Sequence, residues 1–227
     1  MLRPKIAVLV SGGGTNLQAL LDARDKGILT GGDIALVVSS KEGVYAIERA
    51  KAAGVKALVV ARKGKSGADF EAQLQDALQE HGIDLVVLAG FLCILSADFI
   101  ARYEGRIVNV HPSLLPAFGG RGFYGLAVHE AALARGVKVT GATVHFVNNV
   151  CDGGPIILQH AVEVREGDTP EVLQRRVMEE AEWKLLPQAT ELAARAIEEE
   201  KPMQSLFECV GATTYPGRGI VAGRTKD

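Results

Sequence analysis

Several things are scarce in this chain, and each scarcity closes off a class of protein. There are three cysteines in 227 residues, Cys93, Cys151 and Cys209. An odd, widely spaced set argues against a disulfide framework or a CxxC metal knuckle, so a reducing cytoplasm is the expected compartment. Cys93 lies in an apolar stretch and is expected to be a small buried hydrophobe. No His, Cys and carboxylate spacing resembles a zinc site, so no metal is expected. The net charge is only −2, which leaves no basic excess for a nucleic-acid partner. Gly, Ser or a charge interrupts every apolar run before it reaches membrane-spanning length, so no membrane partner is expected either. The first residues enter strand-like sequence at once and lack the basic-then-apolar layout of a signal peptide. No internal repeat and no low-complexity segment is present.

What remains is an ordinary globular composition, 48% apolar and 23% charged. Its length suits one sizeable domain, or one domain with a C-terminal extension. Residues 6–10 form a continuous β-rich run, as expected of a parallel strand covered on both faces. The glycine turn Ser11 to Asn16 comes next. Leu17, Leu20 and Leu21 then recur at helical spacing up to Lys26-Gly27. Further strands are expected at 34–38, 57–60, 84–89 and 107–110, and helices at 45–53, from Phe70 to about 82, and at 97–103. This alternation predicts an α/β fold with a doubly wound, mostly parallel sheet, whose ligands sit beyond the carboxyl ends of the strands. A helix is expected at 128–135. Strands 140–147 and 156–164, with polar alternation, suit an antiparallel hairpin. A long helical stretch runs from Thr169-Pro170 to about Glu200, where Pro187 must kink or divide it. The boundaries are therefore one domain over 1–204, with halves at about 1–104 and 105–204. A tail without periodicity covers 205–227.

The most informative segment is Asn109-Val110-His111-Pro112-Ser113-Leu114-Leu115-Pro116. Side chains alternate along a strand, so Asn109 and His111 share a face. Pro112 and Pro116 stop the strand and stiffen the loop beyond it. An amide donor beside a titratable imidazole suits chemistry in which an oxygen gains charge while a proton moves. Asp152, in Asp152-Gly153-Gly154-Pro155, reads equally as a turn residue or as a partner of His111. If close, its carboxylate should raise the histidine's pKa. His145 shares a strand face with Thr143 and Val147. It and His81, His129 and His160 read as ordinary structural histidines.

The glycine turn could be a phosphate cradle or simply a tight strand-to-helix connection. It is no P-loop, because no Lys-Ser or Lys-Thr ends it. The second strand closes on Val38-Ser39-Ser40-Lys41 rather than on an acid, which disfavours a dinucleotide and leaves a monophosphate. The loop 117–125 is rich in glycine and reads as mobile.

Together, the segments Ser11 to Ala19, Val87 to Phe91, Asn109 to Pro116, Gly141 to Val147 and Asp152 to Ile157 resemble the folate-dependent formyltransferases, in family order over nearly all of residues 5 to 190. The resemblance implies a Rossmann-like formyltransferase fold. It also implies 10-formyltetrahydrofolate as co-substrate, donating its formyl group to the amine of 5′-phosphoribosylglycinamide in purine biosynthesis, with a monomer or homodimer as the working form. By the same resemblance Asn109 would hold the oxyanion, His111 would act as general acid, and Asp152 would orient His111 or a water. Gly14, Thr15, Asn16, Leu17 and Gln18 would cradle the phosphate, and Glu182 would contact the ribonucleotide. Leu92, Cys93, Ile94 and Leu95, with Asn148, Asn149, Val150, Cys151 and Asp152, would line the pterin pocket beside Asn109. Cys93 and Gly67 depart from relatives that carry a basic residue there.

Two other readings stay open. A formyltetrahydrofolate hydrolase is one, although known relatives of that kind carry an N-terminal regulatory domain and this chain starts at its first strand. A non-catalytic sugar-phosphate-binding module is the other, and it would leave Asn109, His111 and Asp152 idle. A tRNA formyltransferase would need a C-terminal RNA-binding domain.

Overall fold

The computed structural model describes residues 3–207. Five parallel strands come first: β1 (Lys5–Val10), β2 (Asp33–Ser39), β3 (Lys56–Val59), β4 (Leu85–Leu88) and β5 (Ile107–His111). They alternate with helices α1 (Thr15–Asp25), α2 (Tyr45–Ala52), α3 (Gly67–Glu80) and α4 (Ala97–Arg102). The chain continues through α5 (Leu126–Arg135), β6 (Val139–Phe146), β7 (Ile156–Glu163), α6 (Pro170–Val177) and α7 (Trp183–Glu198). The sheet order is β3-β2-β1-β4-β5-β6-β7, with β6 and β7 antiparallel. The strand order reverses between β1 and β4, and the crevice at such a switch point is where doubly wound folds place ligands.

The central strands β1 and β4 are almost wholly apolar because both faces are covered. In β1, Ile6, Val8 and Val10 pack with α1, α2, α6 and α7, while Ala7 and Leu9 pack with α3 and α4. β5 changes character part-way. Val108 and Val110 keep to the first core, but on the other face only Ile107 is apolar, succeeded by Asn109 and His111. Their antiparallel partners on β6 are His145 and Thr143. Polar side chains thus take over the face beyond α4.

The antiparallel pairing of β6 and β7 is as expected. β6 is buried from Thr140 to Phe146, and its polar side chains lie under the loops after β5 and β6. One feature differs from expectation: Pro187 does not divide the late helix. α7 runs through it, and the α-register breaks one turn earlier, in a π-helical turn Met178–Glu182. Such single π turns recur where a helix must re-aim a side chain. The tail beyond 207, Cys209 included, lies outside the described residues.

His129, on α5, is fully buried, and neither ring nitrogen has a hydrogen-bond partner among the described residues. Burial, and then the charge of His111, lower its pKa from 6.5 to about 4. The unfolded chain therefore takes up the proton first. Stability is intact above pH 6.5 and is lost as pH falls from there towards 4, by roughly 3 kcal/mol in all. His129→Leu should flatten that acid limb in a series of melting curves. A His129→Leu protein that melts with the wild-type pH dependence would overturn this assignment.

Candidate active site

The loops after β1, β2 and β4 are tied together by one hydroxyl. Ser11 Oγ lies 2.6 Å from Ser40 Oγ and accepts the Leu92 amide at 2.9 Å, while the Ser11 amide donates to the Gly90 carbonyl at 3.1 Å. The glycine turn and the loop 89–96 therefore share one rim.

Gly14 caps α1 in the left-handed region, φ 75°, and a Cβ there would sit 2.7 Å from Ala46 Cβ. Glycine is required for both reasons. No side chain caps α1, so its first-turn amides at Thr15, Asn16 and Leu17 are open, as a bound anion requires. Arg49, on α2, braces the turn by donating to the Gly13 carbonyl and to Gln18 Oε1, each at 2.9 Å. Nothing in the sequence of α2 marks Arg49, because its role depends on how α2 packs beside α1. Asn16 Nδ2 donates to Glu182 Oε2 at 2.7 Å across 166 residues. The π turn delivers Glu182 to this point. Burial pushes the Glu182 carboxyl up, opposed by the Asn16 bond, and Asn16 Oδ1 is left without a partner among the described residues.

Asn109, His111 and Asp152 do converge. His111 Nδ1 lies 3.5 Å from Asp152 Oδ2, both nearly buried. His111 Nε2 faces the Phe118 carbonyl at 2.8 Å, which can only accept, so Nε2 carries the hydrogen and Nδ1 is left facing Asp152. Asp152 has φ 54°, a conformation that Asp tolerates better than most residues. Gly153 and Gly154, next in the chain, leave no room for side chains, since a Cβ at Gly154 would fall 1.8 Å from the Phe146 carbonyl oxygen. Thr143 and Gln159 fasten the Pro-flanked loop. Thr143 Oγ1 donates to the Ser113 carbonyl at 2.7 Å and accepts the Leu115 amide at 3.0 Å, and Gln159 donates to the Leu115 carbonyl at 3.0 Å.

His145 belongs to this cluster and is not the ordinary structural histidine that its sequence suggests. Its Nδ1 faces the Phe146 carbonyl at 2.8 Å, so Nε2 is free to accept from Asn109 Nδ2 at 3.1 Å. The same Nε2 lies 3.7 Å from Asp152 Oδ1. His145 therefore fixes the Asn109 amide with one N–H engaged and the other free. The alternation along β6 holds the signal, but only the β5–β6 register turns it into a contact.

The electrostatics correct another expectation. The His111 pKa is lowered, because burial outweighs the Asp152 carboxylate that raises it. Asp152 is also lowered. Burial alone would raise it, but the neighbouring His145 ring, the His111 charge and the Gly120 amide together prevail. The site rests as a neutral imidazole beside a carboxylate. Such a pair accepts a proton readily and holds the resulting cation. Cys151 is no nucleophile here, since burial and Asp152 push its thiol up.

A cavity of about 170 Å³ adjoins this cluster. Cys93, Ile94, Leu95, Asn109, Val150 and Cys151 line it, with Asn148, Asn149 and Asp152. Cys93 is half-buried rather than fully buried, because it packs against the second core on one side and lines the cavity on the other. Leu92 is placed differently, with its amide held by Ser11 and its side chain exposed. A larger groove, about 430 Å³, lies between α1 and α7, and none of Asn109, His111 and Asp152 lines it. Among the described residues no three His, Cys or carboxylate groups gather as metal ligands, and no helix is long and apolar enough to cross a membrane.

Comparison with known proteins agrees with this architecture. The family model "Formyl transferase" matches residues 4–190. The trifunctional purine biosynthetic protein adenosine-3 of Gallus gallus is 44% identical over 191 residues, 84% of this chain but 18% of that protein. This chain thus spans about a fifth of the length of such relatives. Phosphoribosylglycinamide formyltransferase of Haemophilus influenzae is 41% identical over 184 residues, 81% of this chain and 84% of that one. The crystal structure of glycinamide ribonucleotide transformylase 1 from Symbiobacterium toebii superposes with a TM-score of 0.79 at 46% identity, covering 86% and 89% of the two chains. With the family model covering residues 4–190, the chain belongs to the formyl transferase family.

Proposed function

We propose that this protein transfers the formyl group of 10-formyltetrahydrofolate to the amino group of 5′-phosphoribosylglycinamide. The products are the N-formylated ribonucleotide, for purine synthesis, and tetrahydrofolate. The observation that carries this reading is the approach of His111 Nδ1 to Asp152 beside a fixed Asn109 amide, which lines the adjoining cavity. The pterin enters that cavity. The ribose phosphate lies on the open amides of Thr15 to Leu17, with Gly14 and Gln18 beside them, and Glu182 and Asn16 meet the sugar or the amine.

The chemistry starts from this resting state. The amine attacks the formyl carbon, and the oxygen gains a negative charge that the free Asn109 N–H holds. The attacking nitrogen becomes an ammonium. Neutral His111 takes one of its protons at Nδ1 and becomes an imidazolium, which Asp152 stabilises. It returns that proton to the departing folate nitrogen as the C–N bond breaks and the carbonyl reforms. His111 thus acts first as base and then as acid. No step calls for a metal or a covalent nucleophile. On this reading residues 1–204 are one domain, with the phosphate half before about 104 and the folate half after it. Its place is the cytoplasm, and it works as a monomer or homodimer with neither nucleic acid nor membrane as partner.

The test is turnover with both substrates, monitored by the absorbance of the released folate. Formyl transfer that requires the phosphorylated amine supports the proposal. Formate release without amine would make the protein a hydrolase, and ligand binding without turnover would make it a binding module.

A further inference from the structure

We infer that Arg121 sets specificity for the formyl donor by binding the carboxylate of its glutamyl tail. The inference rests on the proposed donor. Folates carry an apolar pterin and benzoyl body that ends in a glutamyl residue, or a chain of them, with a negative charge at the far end. With the pterin inside the cavity and the formyl-bearing nitrogen at Asn109 and His111, the tail must leave by the mouth. Arg121 is exposed there, and it is the one Arg or Lys lining that cavity among the described residues. Its guanidinium has no hydrogen bond or ion pair among the described residues. Two cations outside the lining, near the Phe70 ring that stacks on Phe91 of the cavity wall, are already engaged. Arg62 lies over the Phe70 ring and donates to the Lys65 carbonyl, and Lys65 donates to Gln73.

The backbone around Arg121 is built to hold it in place. The Phe123 amide donates to the Gly120 carbonyl at 3.1 Å, closing a four-residue turn with Arg121 second and Gly122 third. Gly122, at φ 94°, takes the positive φ that the third position of a type II turn needs. The Gly120 amide donates to Asp152 Oδ2 at 2.8 Å, so the turn that carries Arg121 is fastened to the carboxylate beside His111. A planar guanidinium can grip a carboxylate through two parallel bonds, which a lysine cannot do.

The experiment compares two donors, 10-formyltetrahydrofolate and an analogue whose glutamyl residue is replaced by a neutral alkylamide. In the wild type, kcat/KM should favour the glutamylated donor by about tenfold, a typical effect of one charged hydrogen-bonded contact. Arg121→Gln should bring the ratio close to one through KM for the glutamylated donor, and Arg121→Lys should keep part of it. Arg62→Gln should keep the wild-type ratio. A wild-type ratio near one, a full preference in Arg121→Gln, or a collapse in Arg62→Gln would overturn the assignment. So would a rise confined to KM for the phosphorylated amine. Failure of the wild type to transfer formyl from either donor would instead sink the functional proposal, and this inference with it.

Discussion

Replacing His111 with Ala should lower kcat for formyl transfer by about three orders of magnitude and leave affinity for the phosphorylated amine within a few-fold. The expectation combines two losses. A positioned proton acceptor contributes roughly 10²–10⁴-fold, and the imidazolium it becomes helps hold the charge of the tetrahedral intermediate. The phosphate cradle is formed by α1, α2 and the π turn, none of which contacts His111, so ground-state binding has little reason to change. Deletion could also loosen the loop that His111 fastens through the Phe118 carbonyl. His111→Gln guards against that reading, because an amide can still donate to Phe118 but cannot carry the proton. Both variants should be equally slow. Near-normal kcat in either one would remove His111 from the chemistry.

The sheet is legible in the sequence because parallel strands covered on both faces are written as unbroken apolar runs, and because glycines mark the turns between them. Asn109 and His111 are legible for a related reason. Two polar side chains two residues apart, at the end of such a run, can only share a face, and prolines fix where that face ends. Asp152 is half legible. Its turn chemistry is plain, but its distance from His111 depends on how the connection between β6 and β7 folds back. His145 and Arg49 are not legible. His145 meets Asn109 only through the β5–β6 register, and Arg49 meets Gly13 only through helix packing. The direction of the His111 pKa is missed for a physical reason. The sequence displays the neighbouring charge, whereas the burial that outweighs it is a property of the whole fold. Likewise Pro187 looks like the break in the late helix, yet the break that matters delivers Glu182 to Asn16 one turn earlier.

Asp152→Asn separates the two ways in which a carboxylate can serve this site. An asparagine at 152 can still accept the Gly120 amide, so the turn carrying Arg121 should persist, and only the charge is lost. Activity requires His111 neutral at the start. It therefore falls as pH drops through the His111 pKa, which lies below 6.5. Asp152 is the main influence raising that pKa, so its neutralisation should lower it further and carry the acid limb of kcat/KM to lower pH. At the same time the plateau should fall. Two opposite charges about 4 Å apart interact by on the order of 4 kcal/mol near a protein surface, and losing that support for the imidazolium corresponds to roughly 10³-fold in rate. The variant should thus be slower and less acid-sensitive together, a pairing that a merely loosened turn would not produce. Loosening would lower the plateau and leave the limb where it was. A wild-type limb in Asp152→Asn would reduce Asp152 to a turn residue, and the proton would then need a different partner beside His111.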